Sequence, residues 1–353
     1  MMTAHWVQQN GPSGMHHMAL AMVEAEKRLG IDAALVSVDH PEQWQDGHAV
    51  DADAHVIHSR FPDVQWARVK NRTGHDPKTV LVAHGIPEHN MELSVNQFNI
   101  DGAEVYRPID YYAVIRHWLR AADAIVVLNP RQQAIYETMA QKGRTIDVVP
   151  MGVDTAFWAG GTPTAHFEGR PAVWMSENQT RIKWALDLFT AWPFVLRDHP
   201  QAFLHAHYIP FDLHRFLVDF ANSNGTSYRA NITARTFSHE TLRTMWQGFD
   251  FNLATTRYGD NTLLTMQAEA AGLKTISYAG NEYASFWMPE GDQRVMAKTL
   301  SAIFAGDVPM REKLPVPSLE EMGRAMEAIY ARVLDRDVAV HTPLVLMPKE
   351  ATA

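Results

Sequence analysis

The chain contains no cysteine. That absence removes disulfides, thiolate nucleophiles and Cys-ligated zinc, and it fits a cytoplasmic location, which is the one expected. Long hydrophobic runs are missing too. No stretch approaches the ~20 apolar residues that cross a bilayer, so no membrane span is expected. Met1–Gly14 lacks a basic segment followed by an apolar one, so no secretion signal is expected. Nor is there a basic excess: 31 Lys and Arg against 40 Asp and Glu leave a formal charge of −9. That balance opposes general adhesion to nucleic acid or to an anionic membrane, while allowing a local basic cleft. Sequence repeats and low-complexity stretches are absent.

What remains is a 353-residue chain with 46% hydrophobic and 20% charged residues. That length suits two domains, each able to bury a core. The first half alternates strands and helices. Met15, Met18, Met22, Ala25 and Leu29 recur at helical spacing. Ala33–Ser37, Val56–His58, Thr79–Ala83, Ala124–Leu128 and Thr145–Val149 read as buried strands, and Tyr111–Arg120 as a helix. Asn129 and Pro130 open a further helix that Gly143 closes. The alternation restarts after Pro150. Strands are expected at Ala172–Met175, Phe203–Ala206, Phe249–Ala254 and Thr275–Ser277. Helices are expected at Ile182–Arg197, Leu213–Ala221, His239–Gln247 (capped by Ser238) and Thr262–Ala271 (closed by Gly272). Ser318 and Glu321 form a capping box for a last helix ending near Leu334. Such alternation predicts two parallel sheets wrapped by helices.

In doubly wound sheets, ligands bind beyond the carboxyl ends of strands, beside helix N-termini. Four segments occupy such positions. Gly11-Pro12-Ser13-Gly14 precedes the first helix and lets backbone approach a ligand, although taken alone a plain turn is the better explanation. His84 directly follows the strand Thr79–Ala83, with Glu88 close behind; either side chain suits a sugar hydroxyl or proton transfer. A satisfied loop histidine is the alternative in a chain with 18 histidines. Arg181 and Lys183 lie at a helix N-terminus, where cations are poorly placed unless an anion joins them, and a diphosphate answers that need. Gly259-Asp260-Asn261-Thr262 opens the helix carrying Gln267 and Glu269. Its N–H groups suit phosphate, and a polar side chain on the helix suits ribose hydroxyls; a capped helix with a surface glutamate is the alternative. His205 and His207 share a strand face but lack a third partner, so packing is expected there rather than a metal.

These segments occur in the order found in GT-B glycosyltransferases, and much of the chain resembles the retaining family four. Gly11–Leu29 looks like that family's Gly-rich loop and first helix. Val126-Val127-Leu128-Asn129 through Val148-Val149-Pro150-Met151-Gly152-Val153-Asp154-Thr155-Ala156-Phe157 is similar to its inter-domain passage, "vvPNGVDtxxF". Lys183 matches the lysine of "GRxxxxKG", and Gln267–Ser277 resembles "EAQAAGLPVIS". Two departures stand out. Ser176-Glu177-Asn178 replaces the region of the family's arginine, with Arg181 as the substitute. Gly259 and Gln267 occupy the positions of its paired glutamates, with Asp260 and Glu269 one and two residues further on. The spacing of Asp260-Asn261 and Glu269 is also similar to the donor segment of the T-even phage DNA β-glucosyltransferases.

The resemblance implies a GT-B fold: two Rossmann-like α/β domains facing each other across a cleft. The expected division is 1–152 for the acceptor domain and 153–317 for the donor domain, with 318–353 returning towards the first. It implies transfer of a sugar from a nucleoside diphosphate sugar, UDP being the expected nucleotide, with no bound metal and no cofactor beyond that co-substrate. The implied donor contacts are Gly14, Arg181, Lys183, Gly259, Asp260, Asn261, Thr262 and Gln267 or Glu269; the catalytic candidates are His84 and Glu88. The phage-like spacing points to a hydroxymethylated pyrimidine in DNA as an acceptor to test. The rival expectation is a non-catalytic GT-B-like module that binds a nucleotide sugar or nucleic acid. A third is an epimerase or phosphorylase on the same fold.

Overall fold

The structure is a computed structural model. It describes residues 1–7, 14–37, 51–59, 78–85, 108–162, 169–175, 185–207, 215, 218–219, 222–223, 230–233, 237–256 and 263–335. The expected helix Leu213–Ala221 lies largely outside them.

The chain divides into two compact units. The first holds Met1–His84, Ala113–Gly152 and the chain from Leu319. Its strands are β1 (Met2–Val7), β2 (Asp32–Ser37), β3 (Ala54–Ser59), β4 (Thr79–Ala83), β5 (Ala124–Val127) and β6 (Asp147–Val148). They form one parallel sheet in the order β2-β1-β3-β4-β5-β6. Helices α1 (Gly14–Arg28), α2 (Pro108–Ala121) and α3 (Pro130–Met139) fall between the strands. Asn129 caps α3 by accepting from the Gln132 N–H at 2.8 Å, and Pro130 takes the first turn, where a missing N–H costs nothing.

Strand β1 was not among the expected elements. Its sequence alternates Thr3, His5 and Val7 with Ala4 and Trp6, a pattern that usually marks a half-solvated strand. Here both faces are buried. The polar face is covered by α1, against which the last helix, α9 (Leu319–Val333), packs. Gly323 makes that packing possible: a Cβ there would meet the Ala25 carbonyl oxygen at 3.0 Å.

The second unit contains Val153–Ser318. Its strands are β7 (Ala172–Met175), β8 (Phe203–His207), β9 (Ala230–Thr233), β10 (Phe251–Ala254), β11 (Lys274–Tyr278) and β12 (Phe286–Met288). They make a second parallel sheet, ordered β12-β11-β10-β7-β8-β9. Its helices are α4 (Thr155–Ala159), α5 (Ala185–Asp198), α6 (His239–Trp246), α7 (Leu263–Ala270) and α8 (Gln293–Ala305). Leu188, Phe189, Trp192 and Val195 of α5 and Met296, Leu300 and Ile303 of α8 bury one apolar cluster with Val173, Leu204, Leu253 and Ile276 from the strands. Each such side chain contributes about 1.5–3 kcal/mol on burial. Asp154 of the passage Gly152-Val153-Asp154 caps α4, accepting from Phe157 N–H at 3.0 Å. Strands β9 and β12 and helices α4 and α8 were also not expected from the sequence.

Candidate active site

In the first unit, the carboxyl end of β4 delivers His84, and Gly85 follows at φ 77°, a conformation glycine adopts without strain. His84 is half-buried and does not stand alone. The register aligns His5 with Val56, Val7 with His58 and His58 with Val82. Because side chains alternate along a strand, Thr3, His5 and His58 share one sheet face, and His84 continues that face beyond β4.

On this face runs an unbroken chain of hydrogen bonds. His84 Nε2 meets His58 Nδ1 at 3.1 Å. His58 Nε2 meets His5 Nδ1 at 2.9 Å. His5 Nε2 lies 3.0 Å from both carboxylate oxygens of Glu26 on α1. Glu26 also accepts from Thr3 Oγ1 and from the Tyr330 hydroxyl of α9, each at 2.6 Å. His5, Glu26 and His58 are all 0% exposed.

The electrostatics follow from these contacts. Burial alone would raise the Glu26 pKa, but the electrostatic attraction of His5 and the hydrogen bonds from His5, Thr3 and Tyr330 outweigh it, so the carboxyl is held below its ordinary value and ionised. Burial, with His5 and His84 on either side, pushes the His58 pKa well below its usual value and keeps that ring neutral. Burial and the adjacent Glu26 charge raise the Tyr330 hydroxyl well above its ordinary pKa, so it remains a donor. Sequence reasoning singled out His84 and missed His5, His58, Glu26 and Tyr330. The available signal was a histidine on each of two further strands of the same sheet.

In the second unit, Gln267 and Glu269 share α7 but do different things. Gln267 is buried. The Glu269 carboxylate accepts from the Thr275 N–H at 2.7 Å, from the Ser285 hydroxyl at 3.0 Å and N–H at 3.2 Å, and from the Lys313 ammonium. Thr275 and Ser285 stand at the amino ends of β11 and β12, so this carboxylate ties the starts of two strands together. At the carboxyl ends lies a different polar layer. Asn281 donates to Ser277 and Thr265, each at 3.4 Å, and Thr255, one residue beyond β10, is fully buried with no partner for its hydroxyl among the described residues. His205 stacks on Trp174, with centroids 4.6 Å apart. A cavity lined by Arg170, His199, Asp250 and Lys274 opens at the amino ends of β7, β10 and β11, opposite the end where such sheets hold ligands.

Gly14 is the first residue of α1. Glu88, Arg181, Lys183, Gly259, Asp260, Asn261 and Thr262 lie outside the described residues. Among the described residues, no cluster of His, Asp or Glu is arranged to hold a metal ion, and no helix is long and apolar enough to cross a membrane.

No protein-family model matches the chain, and no curated protein sequence does. Solved structures do. HepE from Anabaena, in complex with UDP and glucose, is 13% identical with a TM-score of 0.60, covering 94% of this chain and 95% of its own. Sucrose-phosphate synthase from Thermosynechococcus elongatus is 14% identical with a TM-score of 0.64, covering 95% and 97%. A glycosyltransferase from Rickettsia africae is 12% identical with a TM-score of 0.65, covering 95% and 99%. The chain has the fold these proteins share: two parallel-sheet α/β units of the GT-B type.

Proposed function

We propose that the chain is a glycosyltransferase that moves a sugar from a UDP-sugar to a hydroxyl acceptor. The observation that carries this reading is the likeness of both units, end to end, to HepE, which was solved with UDP and glucose. A single nucleotide-binding domain would not require the second unit.

In this reading the second unit holds the donor. Arg181 and Lys183 neutralise the departing diphosphate, where negative charge grows in the transition state. Gly259, Asp260, Asn261 and Thr262 bind phosphate or the donor sugar, and Gly14 brings backbone close to the donor. Gln267 takes the ribose contact, because the Glu269 carboxylate is already occupied by Thr275, Ser285 and Lys313. Without charge, Gln267 makes a weaker bond than the glutamate of the family pattern. His84 contacts the sugar or exchanges a proton with the acceptor hydroxyl, and Glu88 is the reserve. The reaction asks for no cofactor beyond the nucleotide sugar. A hydroxymethylated pyrimidine in DNA is one acceptor to test, and it would have to leave the base stack to react. The family-four pattern implies retention at the anomeric carbon and the phage-like spacing implies inversion, which product NMR decides.

Radiolabelled UDP- and GDP-sugars test the proposal through release of nucleotide or transfer of label. Lys183→Ala is expected to reduce turnover by roughly 10²–10³-fold, on the scale of one lost transition-state donor, with circular dichroism unchanged. Near-wild-type turnover with normal donor affinity overturns the assignment. The occupied Glu269 and the glutamine at 267 favour one rival, a module that binds a nucleotide sugar without turning it over. Tight binding with no release of UDP would select it.

A further inference from the structure

The Glu26–His5–His58–His84 chain exceeds what a single acid–base group needs. A histidine oriented by one carboxylate already makes a competent base. Here two more imidazoles, both fully buried, separate the carboxylate from the group at the strand end. A neutral imidazole donates through one nitrogen and accepts through the other. The three neutral rings therefore have one self-consistent arrangement, and one added proton gives others, with the charge on His84, on His58 or on His5. Two of these matter: the neutral one, and the one that sets the charge against Glu26.

In the first arrangement His84 Nε2–H donates to His58 Nδ1, His58 Nε2–H donates to His5 Nδ1, and His5 Nε2–H donates to Glu26. Every ring is neutral, and His84 Nδ1 carries a lone pair. In the second, His5 bears protons on both nitrogens and donates to Glu26 and to His58 Nε2. His58 Nδ1–H donates to His84 Nε2, and His84 Nδ1 carries a hydrogen. His58 is neutral in both, as its surroundings require.

We propose that these four residues form a proton relay: a proton accepted at His84 Nδ1 is stored inside the first unit as a His5 imidazolium paired with Glu26. The proposal rests on the glycosyl-transfer reading only for the source of the proton, an acceptor hydroxyl. The steps balance. The hydroxyl O–H breaks and its hydrogen joins His84 Nδ1; the hydrogen of His84 Nε2 passes to His58 Nδ1; that of His58 Nε2 passes to His5 Nδ1. His5 keeps its Nε2 hydrogen on Glu26. The oxygen retains the electron pair with which it attacks the sugar, and reversal returns the proton to the departing nucleotide or to water. His84 is the catalytic residue; His58, His5 and Glu26 act through it.

Glu26 comes from α1, Tyr330 from α9, and Thr3 from β1. Tyr330 and Thr3 hold the carboxylate without supplying charge. His55, on the opposite face of the sheet, accepts from Trp6 Nε1 at 3.0 Å and takes no part. Among the described residues, Glu26 is the anion hydrogen-bonded to the relay, at the end away from His84.

Histidine ¹⁵N NMR of the full chain across pH tests the relay without any turnover. The expected result is a single protonation step in which His5 becomes imidazolium while His58 stays neutral and exchanges its Nε2–H form for its Nδ1–H form. Glu26→Gln should move that step to lower pH, because the imidazolium loses its counter-charge. Tyr330→Phe, which leaves the carboxylate and most of the packing, should keep the coupled exchange and serves if Glu26→Gln does not fold. Protonation of His84 with no change of tautomer at His58 overturns the relay. A UDP-sugar turnover profile gives a separate readout: in the variant its acid limb should move with the NMR step while the donor KM holds. If no sugar nucleotide is turned over, the glycosyl-transfer reading falls, and the tautomer exchange still decides the relay.

Discussion

Replacing Glu26 by glutamine removes one charge from the interior and almost no volume. In the native chain the carboxylate receives the Thr3 and Tyr330 hydroxyls at 2.6 Å and the His5 N–H at 3.0 Å. A glutamine oxygen can still accept from His5 and Tyr330, and its amide can donate to Thr3, whose hydroxyl turns to accept. The geometry is kept and the charge assistance is lost. Hydrogen bonds to a charged group contribute about 1.5–3 kcal/mol against about 1 kcal/mol for neutral ones. Three weakened bonds therefore sum to several kcal/mol, part of which is offset because the carboxylate no longer has to be desolvated. A net loss of about 2 kcal/mol is expected, or roughly 30-fold in local opening. Hydrogen exchange of the β1 and β3 amides reads it at pH 7, with β7 and β10 in the second unit as internal controls. Glu26 has a depressed folded-state pKa, so its stabilisation is fully present above the unfolded value of 4.5 and is lost as pH falls through the folded one. The gap between wild type and variant should narrow below pH 4.5, and salt should leave it unchanged because the groups are buried. A loss below about 0.5 kcal/mol, or a gap constant with pH, would refute the reasoning.

Gly323→Ala is expected to push α9 away from α1, since its methyl group meets the Ala25 carbonyl oxygen at 3.0 Å; overpacking of this kind costs about 1–3 kcal/mol in thermal or denaturant unfolding. A neutral result would mean that the two helices slide apart freely. Glu269→Gln should destabilise the second unit, by about 1–3 kcal/mol in denaturant unfolding, because it weakens a buried acceptor shared by Thr275, Ser285 and Lys313, and it should leave the donor KM nearly unchanged. A large rise in donor KM with stability intact would return the ribose contact to Glu269.

Much of the fold was legible in the sequence because fully buried parallel strands leave continuous apolar runs. Thr79–Ala83 and Ala172–Met175 were read with the bounds the structure gives. Helix starts at Asn129 and Ser238 were legible because an N-cap is a local bond, completed within three residues. Strand β1 was lost for the opposite reason. Its polar residues resemble a solvent face, and only the arrival of α1 and α9 supplies Glu26 and Tyr330 to satisfy them. His84 was singled out because position after a strand is itself a signal. Its partners were not, because Tyr330 lies 304 residues from Glu26 and His58 lies 53 from His5. No local pattern joins them; the strand order β1-β3-β4 does. Glu269 carries a related lesson. A carboxylate on the helix after a polar turn suggests a ligand contact, yet Lys313, 44 residues away, occupies it.

The central claim is sugar transfer from a nucleotide donor, and nucleotide release tests it most directly. Purified chain incubated with UDP-sugars should liberate UDP, slowly with water alone and faster with a hydroxyl acceptor, and Lys183→Ala should abolish most of that release. UDP-sugars bound but never cleaved, with or without acceptor, would contradict the account.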